Sequence, residues 1–165
     1  LDVLDEDVTT VETVTKSGNH MTDAMLNSKI SLAKAKHIPV VADAHIPVKL
    51  PISEIDLCCI IGNLFDNAMD ASLPLPEEQR MIRVYMDTKG TQLYISFTNL
   101  TAGKKLKKQA GRFRTTKGEG HGFGLVRMDA IVERLGGYLS RNSEDGAFTT
   151  EILLPLETPC NSSLK

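Results

Sequence analysis

The sequence predicts a two-layer α+β sandwich, a mixed five-stranded sheet with about three helices on one face. Residues 82–98 alternate apolar and polar side chains on either side of a turn, and residues 138–154 repeat a strand–turn–strand pattern, as antiparallel hairpins with one buried face do. Three other stretches, around residues 21–36, 53–72 and 125–135, carry apolar residues at helical spacing. Hairpins need no crossover helix, so the helices can gather on a single face of the sheet. A chain of 165 residues is one domain by length, with a core that needs no staples. Its 41% hydrophobic and 24% charged residues are ordinary globular composition, and a net charge of −2 gives no overall pull towards nucleic acid or membrane.

Residues 1–17 place Leu4, Val8 and Val11 at i, i+4 and i+7 among acids and threonines. They read either as the frayed end of a helix whose partner lies elsewhere or as a disordered leader. Ser17-Gly18-Asn19 breaks the chain, and Met21, Met25 and Leu32 set a helical stripe through about Lys36 that is expected to face the core. The β-branched run from Ile38 to Ala42, bounded by prolines, reads as a short strand. Ser53 with Asp56 three residues on forms a capping box that opens a central helix, and Leu73-Pro74-Leu75-Pro76 stops it after about Ser72. Ile82, Val84 and Met86 then alternate with Arg83, Tyr85 and Asp87, Thr88-Lys89-Gly90 turns the chain, and Leu93, Ile95 and Phe97 alternate with Tyr94, Ser96 and Thr98.

From Asn99 to Gly124 the apolar period disappears. The segment holds Lys104, Lys105, Lys107, Lys108, Arg112, Arg114 and Lys117 against the single acid Glu119, and a loop of that length inside a compact domain is functional or disordered. Leu125, Met128, Val132 and Leu135 restore a helix, which Gly136-Gly137 ends. Strands at 138–141 and 147–154 flank the turn Ser143-Glu144-Asp145-Gly146, and the tail after Pro155 is polar. Cys58 and Cys59, adjacent in the central helix, and Cys160 near the end lack zinc or disulfide spacing, and read as two packing residues and a surface thiol. No apolar run approaches the length of a membrane span.

The central helix holds the first chemical signal. At about 100° per residue, Asn63, Asn67 and Asp70 share one face with Asp66 at its edge, while Leu57, Ile61, Leu64, Phe65 and Ala68 point the other way. Solvated faces favour Glu, Lys, Gln and Arg, whereas Asn and Asp compete with the backbone and are poor inside helices. Four of them with no Lys or Glu between mark a site. The second signal is Gly118-Glu119-Gly120-His121-Gly122-Phe123-Gly124-Leu125, alternating glycines that lead directly into a helix. Glycine lets backbone N–H groups turn around an anion, and a helix start adds unpaired N–H groups and a positive dipole end, so phosphate is the natural guest. A Rossmann fingerprint would need a strand just before the glycines, and a Walker A loop would need Gly-Lys followed by Ser or Thr; neither is present. The glycine loop, strand lysine and catalytic-loop aspartate of protein kinases are absent as well.

Asn63-Leu64-Phe65-Asp66-Asn67-Ala68-Met69-Asp70-Ala71 resembles the N-box, and Gly120-His121-Gly122-Phe123-Gly124-Leu125 the later glycine box, of the superfamily shared by sensor histidine kinases, DNA gyrase and MutL. The two boxes, in this order with a basic lid between, resemble most the ATP-binding catalytic domain of a bacterial sensor histidine kinase, of the peptide- or quorum-sensing branch. The resemblance covers about residues 21–157 and implies a Bergerat-type α/β sandwich. Residues 1–20 would then be the remnant of an upstream dimerisation and phosphoacceptor helix or a leader, and 158–165 a disordered tail. It implies ATP and Mg2+ as ligands, transfer of the γ-phosphoryl group to a histidine on the upstream domain, a homodimer in the full protein, and a response regulator as partner. It further implies a cytoplasmic domain, attached to membrane only through upstream segments, with no nucleic-acid partner.

Carried over residue by residue, Asn67 would coordinate Mg2+, and Asn63 stands where gyrase-like hydrolases have a glutamate base. An amide cannot take a proton from water, which favours phosphoryl transfer over hydrolysis. Lys117 would meet phosphate, with Arg112 or Arg114 sharing the role, so the catalytic set is Asn63, Asn67 and Lys117. The nucleotide would also touch Asp70, Asn99, Gly118, Gly120, His121 through its backbone, Gly122, Phe123, Gly124 and Leu125. Asp66 and Asp70 are read as hydrogen bonders on the helix edge and not as metal ligands. Asn99 stands where the family's first glycine box begins with an aspartate that accepts from the adenine amino group; its carbonyl oxygen can still accept, without the charge. His20, His37, His45 and His121 sit at element boundaries or in loops, and none is expected to be the phosphoacceptor. Two alternatives are an ATP hydrolase of the gyrase or MutL type and a degenerate nucleotide-binding interaction module.

Overall fold

The computed structural model describes residues 17–102, 108–109, 112–113 and 119–156, with side chains outside 108–126. In chain order the elements are α1 (His20–Ala35), β1 (Val40–Ala44), α2 (Glu54–Ser72), a 3-10 turn (Glu77–Gln79), β2 (Ile82–Lys89), β3 (Gln92–Leu100), β4 (Lys108–Gln109), β5 (Arg112–Phe113), α3 (Glu119–Arg134), β6 (Tyr138–Glu144) and β7 (Ala147–Pro155). The main sheet has the order β1-β2-β3-β7-β6, with β1 parallel to β2 and every other pair antiparallel. This is the expected mixed five-stranded sheet with three helices.

The alternation read in the sequence sets the sheet's two faces. Ile82, Val84 and Met86 of β2 and Leu93, Ile95 and Phe97 of β3 are buried, and the residues between them face outwards. Lys89 pairs with Gln92, so the hairpin closes through Gly90-Thr91, where Gly90 takes φ 62°. Over the buried face lies α2, burying Leu57, Ile60, Ile61, Leu64, Phe65, Ala68 and Met69; Phe65 meets Phe97 edge-on, ring centroids 4.9 Å apart. At the junction of α3 and β6 the backbone runs so close that a Cβ on Gly137 would lie 2.5 Å from the Leu153 carbonyl oxygen.

Four of the differences from the sequence reading each have a local reason. The first strand spans Val40–Ala44 instead of 38–42. The Ile38 N–H is taken by the Ala33 carbonyl in the cap of α1, with His37 at φ 59°, and Pro39 has no N–H, so the ladder cannot begin before Val40. The helix α1 does not turn Met21 and Leu32 inwards: they are 36% and 43% exposed, and Thr22, Leu26 and Ala33 are buried instead. That rotation is fixed at its start by Asn19, whose Oδ1 accepts from the Thr22 N–H while its Nδ2 donates to the Pro47 and Val48 carbonyls. The long polar segment contains a short antiparallel ribbon, β4 with β5, that carries no apolar period to reveal it. Finally, α3 starts at Glu119 and not at Leu125, so Gly120, Gly122 and Gly124 lie within its first turns. Glycine is a poor helix former but not a forbidden one, and it served in the sequence as a boundary that the backbone does not observe.

Both the end of α1 and the end of α2 are held by one side chain. Arg80 donates from Nη1 to the Lys36 carbonyl at 3.0 Å, from Nη2 to Leu73 at 2.9 Å and from Nε to Leu75 at 2.9 Å. A cation at two helix C-termini satisfies orphan carbonyls and complements both dipoles. Replacing Arg80 by Ala is expected to lower unfolding free energy by about 1–2 kcal/mol, given partly exposed bonds to a charged donor, measured by urea denaturation. Replacing Gly137 by Ala forces the backbone apart and is expected to cost about 2–3 kcal/mol on the same assay, as overpacked sites do.

Candidate functional site

Asn63, Asn67 and Asp70 share the half-buried face of α2 that points away from the sheet, as the helical spacing predicts. Asn63 is locked within the helix, its Nδ2 donating to the Cys59 carbonyl at 2.9 Å and lying 3.4 Å from Cys59 Sγ, so that its carbonyl oxygen is the end offered outwards. Asp66 is turned to the other flank. There Lys29 of α1 reaches it at 2.9 Å, the side chains being 20% and 53% exposed respectively. The two helices approach closely because Gly62 has no side chain: a Cβ there would lie 3.1 Å from Met25 Cε and 3.9 Å from Lys29 Cε. Asp66 is therefore an interhelical partner, and Lys29 is a cation beside the polar face that the sequence reading did not single out. Only knowledge of which helix flanks α2 could have found it.

The geometry of the helix layer brings the two sequence signals together. Arg134, in the last turn of α3, donates to Asp56, in the first turn of α2, at 2.7 Å. Both charges also suit the dipoles of their helices. The helices pack against each other and run in opposite directions, since α2 ends beside the start of β2 through the Arg80 clamp while α3 ends beside the start of β6. Gly124 lies ten residues before Arg134 and Asn67 eleven after Asp56, so at 1.5 Å per residue both stand about 15–17 Å from that pair. The glycine-bearing start of α3 is thus level with Asn67 and Asp70.

Asn99 completes this end of the layer. It follows Phe97 on the buried face of β3, pairs with Ile82 on one side and Phe148 on the other, and is 4% exposed. Its Nδ2 donates to the Leu100 carbonyl at 3.2 Å. Of the remaining expected site residues, Lys117 and Gly118 lie outside the described residues, as do Arg114, Cys160 and the segments 1–16 and 157–165; for Gly120, His121, Gly122, Phe123, Gly124 and Leu125 the backbone of α3 alone is described. Among the described residues no helix is long and apolar enough to cross a membrane.

The family model described as GHKL domain matches residues 52–155, which include both polar signals and the strands between them. The chain belongs to the GHKL family. Relatives of this GHKL domain include the sensor histidine kinase DpiB of Escherichia coli strain K12, 28% identical over 66% of this chain and 21% of DpiB. The sensor protein CitS of Bacillus subtilis strain 168 is 28% identical over 81% of this chain and 26% of CitS. The chain thus spans between a fifth and a little over a quarter of the length of these relatives. In fold, the GHKL domain matches the catalytic domain of the histidine kinase ThkA, with a TM-score of 0.63 and 18% identity over 81% of this chain and 91% of that one. It also matches the histidine kinase domain of the blue-light activated histidine kinase of Erythrobacter litoralis, with a TM-score of 0.57 and 14% identity over 82% of this chain and 61% of that one.

The carboxylate of the pair that sets the helix register, Asp56, responds to pH. The hydrogen bond from Arg134 holds the Asp56 carboxyl below its ordinary value of 3.8, against a smaller opposing effect of burial. A carboxylate stabilised in the folded state contributes stability above its unfolded pKa and loses it as pH falls through the lowered folded one. Comparing wild type with Asp56→Asn, the difference in stability is expected to be under about 1 kcal/mol at pH 7, as for exposed pairs, and to vanish below the carboxylate range; urea titrations at pH 7 and at pH 2.5 check it.

Proposed function

We propose that this GHKL domain is the ATP-binding catalytic domain of a sensor histidine kinase. It binds Mg2+-ATP between the Asn63/Asn67 face of α2 and the start of α3, and passes the γ-phosphoryl group to a histidine on an upstream dimerisation domain. The observation that carries this reading is that Asn67, one turn beyond Asn63 on the same face of α2, stands level with a glycine-bearing helix start in a domain of this family. The named relatives are sensor kinases and sensor proteins, which supports the same activity here. On this reading residues 1–20 belong to the upstream phosphoacceptor domain, the full protein is a homodimer, the domain is cytoplasmic, and a response regulator receives the phosphoryl group. The peptide- or quorum-sensing branch rests on the sequence resemblance alone.

The residues present fit the ligands. Asn67 offers a neutral oxygen on a half-buried face, a hard donor of the kind Mg2+ takes while keeping water and phosphate as its other ligands. Mg2+ bound there supplies neutralisation of phosphate charge. The unpaired N–H groups at the start of α3 orient the phosphates, and Lys117, with Arg112 or Arg114, adds charge. Asn99, with its Nδ2 held by the Leu100 carbonyl, keeps its side-chain oxygen as an acceptor for the adenine amino group. Asn63 can align a phosphate or a water but cannot deprotonate one, so the site positions and neutralises charge, which is what phosphoryl transfer needs.

Isothermal titration of the purified chain with Mg2+-ATP tests the assignment. Asn67→Ala is expected to weaken binding at least tenfold, the loss disappearing when Mg2+ is omitted, while Asp66→Asn stays within about twofold because that carboxylate serves Lys29. No binding at millimolar nucleotide would overturn the reading in favour of an interaction module, and sustained hydrolysis by the chain alone would overturn transfer in favour of a hydrolase.

A further inference from the structure

Outside the proposed nucleotide site, the side chain that most needs an explanation is Arg141. It lies on β6, is 1% exposed, and heads the fully buried side chains by volume. Its guanidinium forks onto Asp129 of α3, Nη2 to Oδ1 at 2.5 Å and Nη1 to Oδ2 at 3.3 Å. Taking the guanidinium fully and the carboxylate, 24% exposed, largely out of water is costly, and apolar residues of similar size commonly do as well or better for stability. What the planar fork supplies that an apolar contact does not is direction.

Direction is what α3 lacks by itself. Met128 and Val132 seat its second half in the core. The first half carries Gly120, Gly122 and Gly124 and has little intrinsic helix stability. Asp129 sits five residues after Gly124, between the glycine segment and the distant Arg134–Asp56 pair. We infer that the Asp129–Arg141 fork is a positioning device: it fixes the rotation of α3, and thereby holds the backbone N–H groups at its start level with Asn67, setting nucleotide affinity without touching nucleotide. This rests on the ATP-binding reading above.

The decisive comparison uses the whole chain with Asp129→Leu and Arg141→Met together, so that no charge is left buried alone. Three quantities are measured: thermal midpoint, Kd for Mg2+-ATP, and amide hydrogen exchange by segment. The expected result is a midpoint equal to or above wild type, Kd raised at least fivefold, and exchange at residues 119–126 at least tenfold faster, with α2 and β3 amides unchanged. A merely structural role would instead lower the midpoint and speed exchange everywhere. Unchanged Kd and unchanged protection at 119–126 overturn the inference. Should the double variant fail to fold, Arg141→Lys decides, since it keeps the charge and loses the fork: faster exchange confined to 119–126 supports the inference, and wild-type protection there overturns it. A wild-type chain that binds no Mg2+-ATP overturns the nucleotide reading, and the exchange data still decide whether the fork orients α3.

Discussion

The apposition of α2 on β3 is the constraint from which the rest of the structure follows. Phe65 stands edge-on to Phe97, with Leu64, Ala68 and Ile95 buried around them. A rotation of α2 by one residue's 100° would drive an amide of Asn63 or Asn67 towards that core and expose a large apolar side chain in its place. Burying a polar group without a partner costs a few kcal/mol by itself, so the helix has one rotation open to it. The polar face therefore points away from the sheet as a consequence of packing, and no separate device is needed to present it.

The neighbouring helices are then placed by polar contacts at the ends of the layer. Arg80 ties the carbonyl ends of α1 and α2 to the chain that enters β2, and Asp56 with Arg134 ties the start of α2 to the end of α3. These contacts are small beside the core: the exposed Asp56–Arg134 pair is worth about a kcal/mol at most, and the Arg80 bonds to carbonyls about 1–2 kcal/mol together. Their effect is geometric: they decide which ends meet. With α3 antiparallel to α2, its weak glycine-bearing start falls beside Asn67 and Asp70, at the end of the sheet where Asn99 closes β3. A segment that would fray in isolation is held where backbone N–H groups are useful.

What could be read in the sequence follows from how strongly each feature is written locally. The hairpin of β2 and β3 alternates so regularly that its faces could be assigned residue by residue, and α2 carries its buried stripe and its polar face at one spacing. Where the deciding partner is distant, the pattern misleads. Met21, Met25 and Leu32 form a plausible stripe on α1, yet Asn19 binds the 47–48 loop and turns Leu26 and Ala33 inwards. Ile38 has strand chemistry, but the cap of α1 claims its N–H. Glycine in α3 looks like a boundary because intrinsic propensity says so, and tertiary packing overrides it. In the candidate site, Asn63, Asn67 and Asp70 were legible as one face. Lys29, Asp129 and Arg141 were not, since nothing in a strand pattern marks one arginine as buried or gives it a helix for a partner.

The Lys29–Asp66 pair bears on how a helix with a carboxylate at the edge of its amide face can serve an anionic ligand. Two unit charges about 6 Å apart interact by about 3 kcal/mol at the effective dielectric near a protein surface, so an uncompensated carboxylate beside a phosphate chain opposes binding by a factor of a hundred or more. The proposed site limits that opposition in two ways. At positions 63 and 99 it uses amides, which accept hydrogen bonds without charge. At position 66, where a carboxylate does occur, an ammonium from α1 sits against it and the pair is turned to the flank away from Asn67. The same neutrality that removes a general base from position 63 also removes the repulsion a base at that position would exert on the γ-phosphate. A site built for transfer, in which the acceptor brings its own nucleophile, needs no carboxylate there, whereas hydrolysis has to bear that repulsion to activate water.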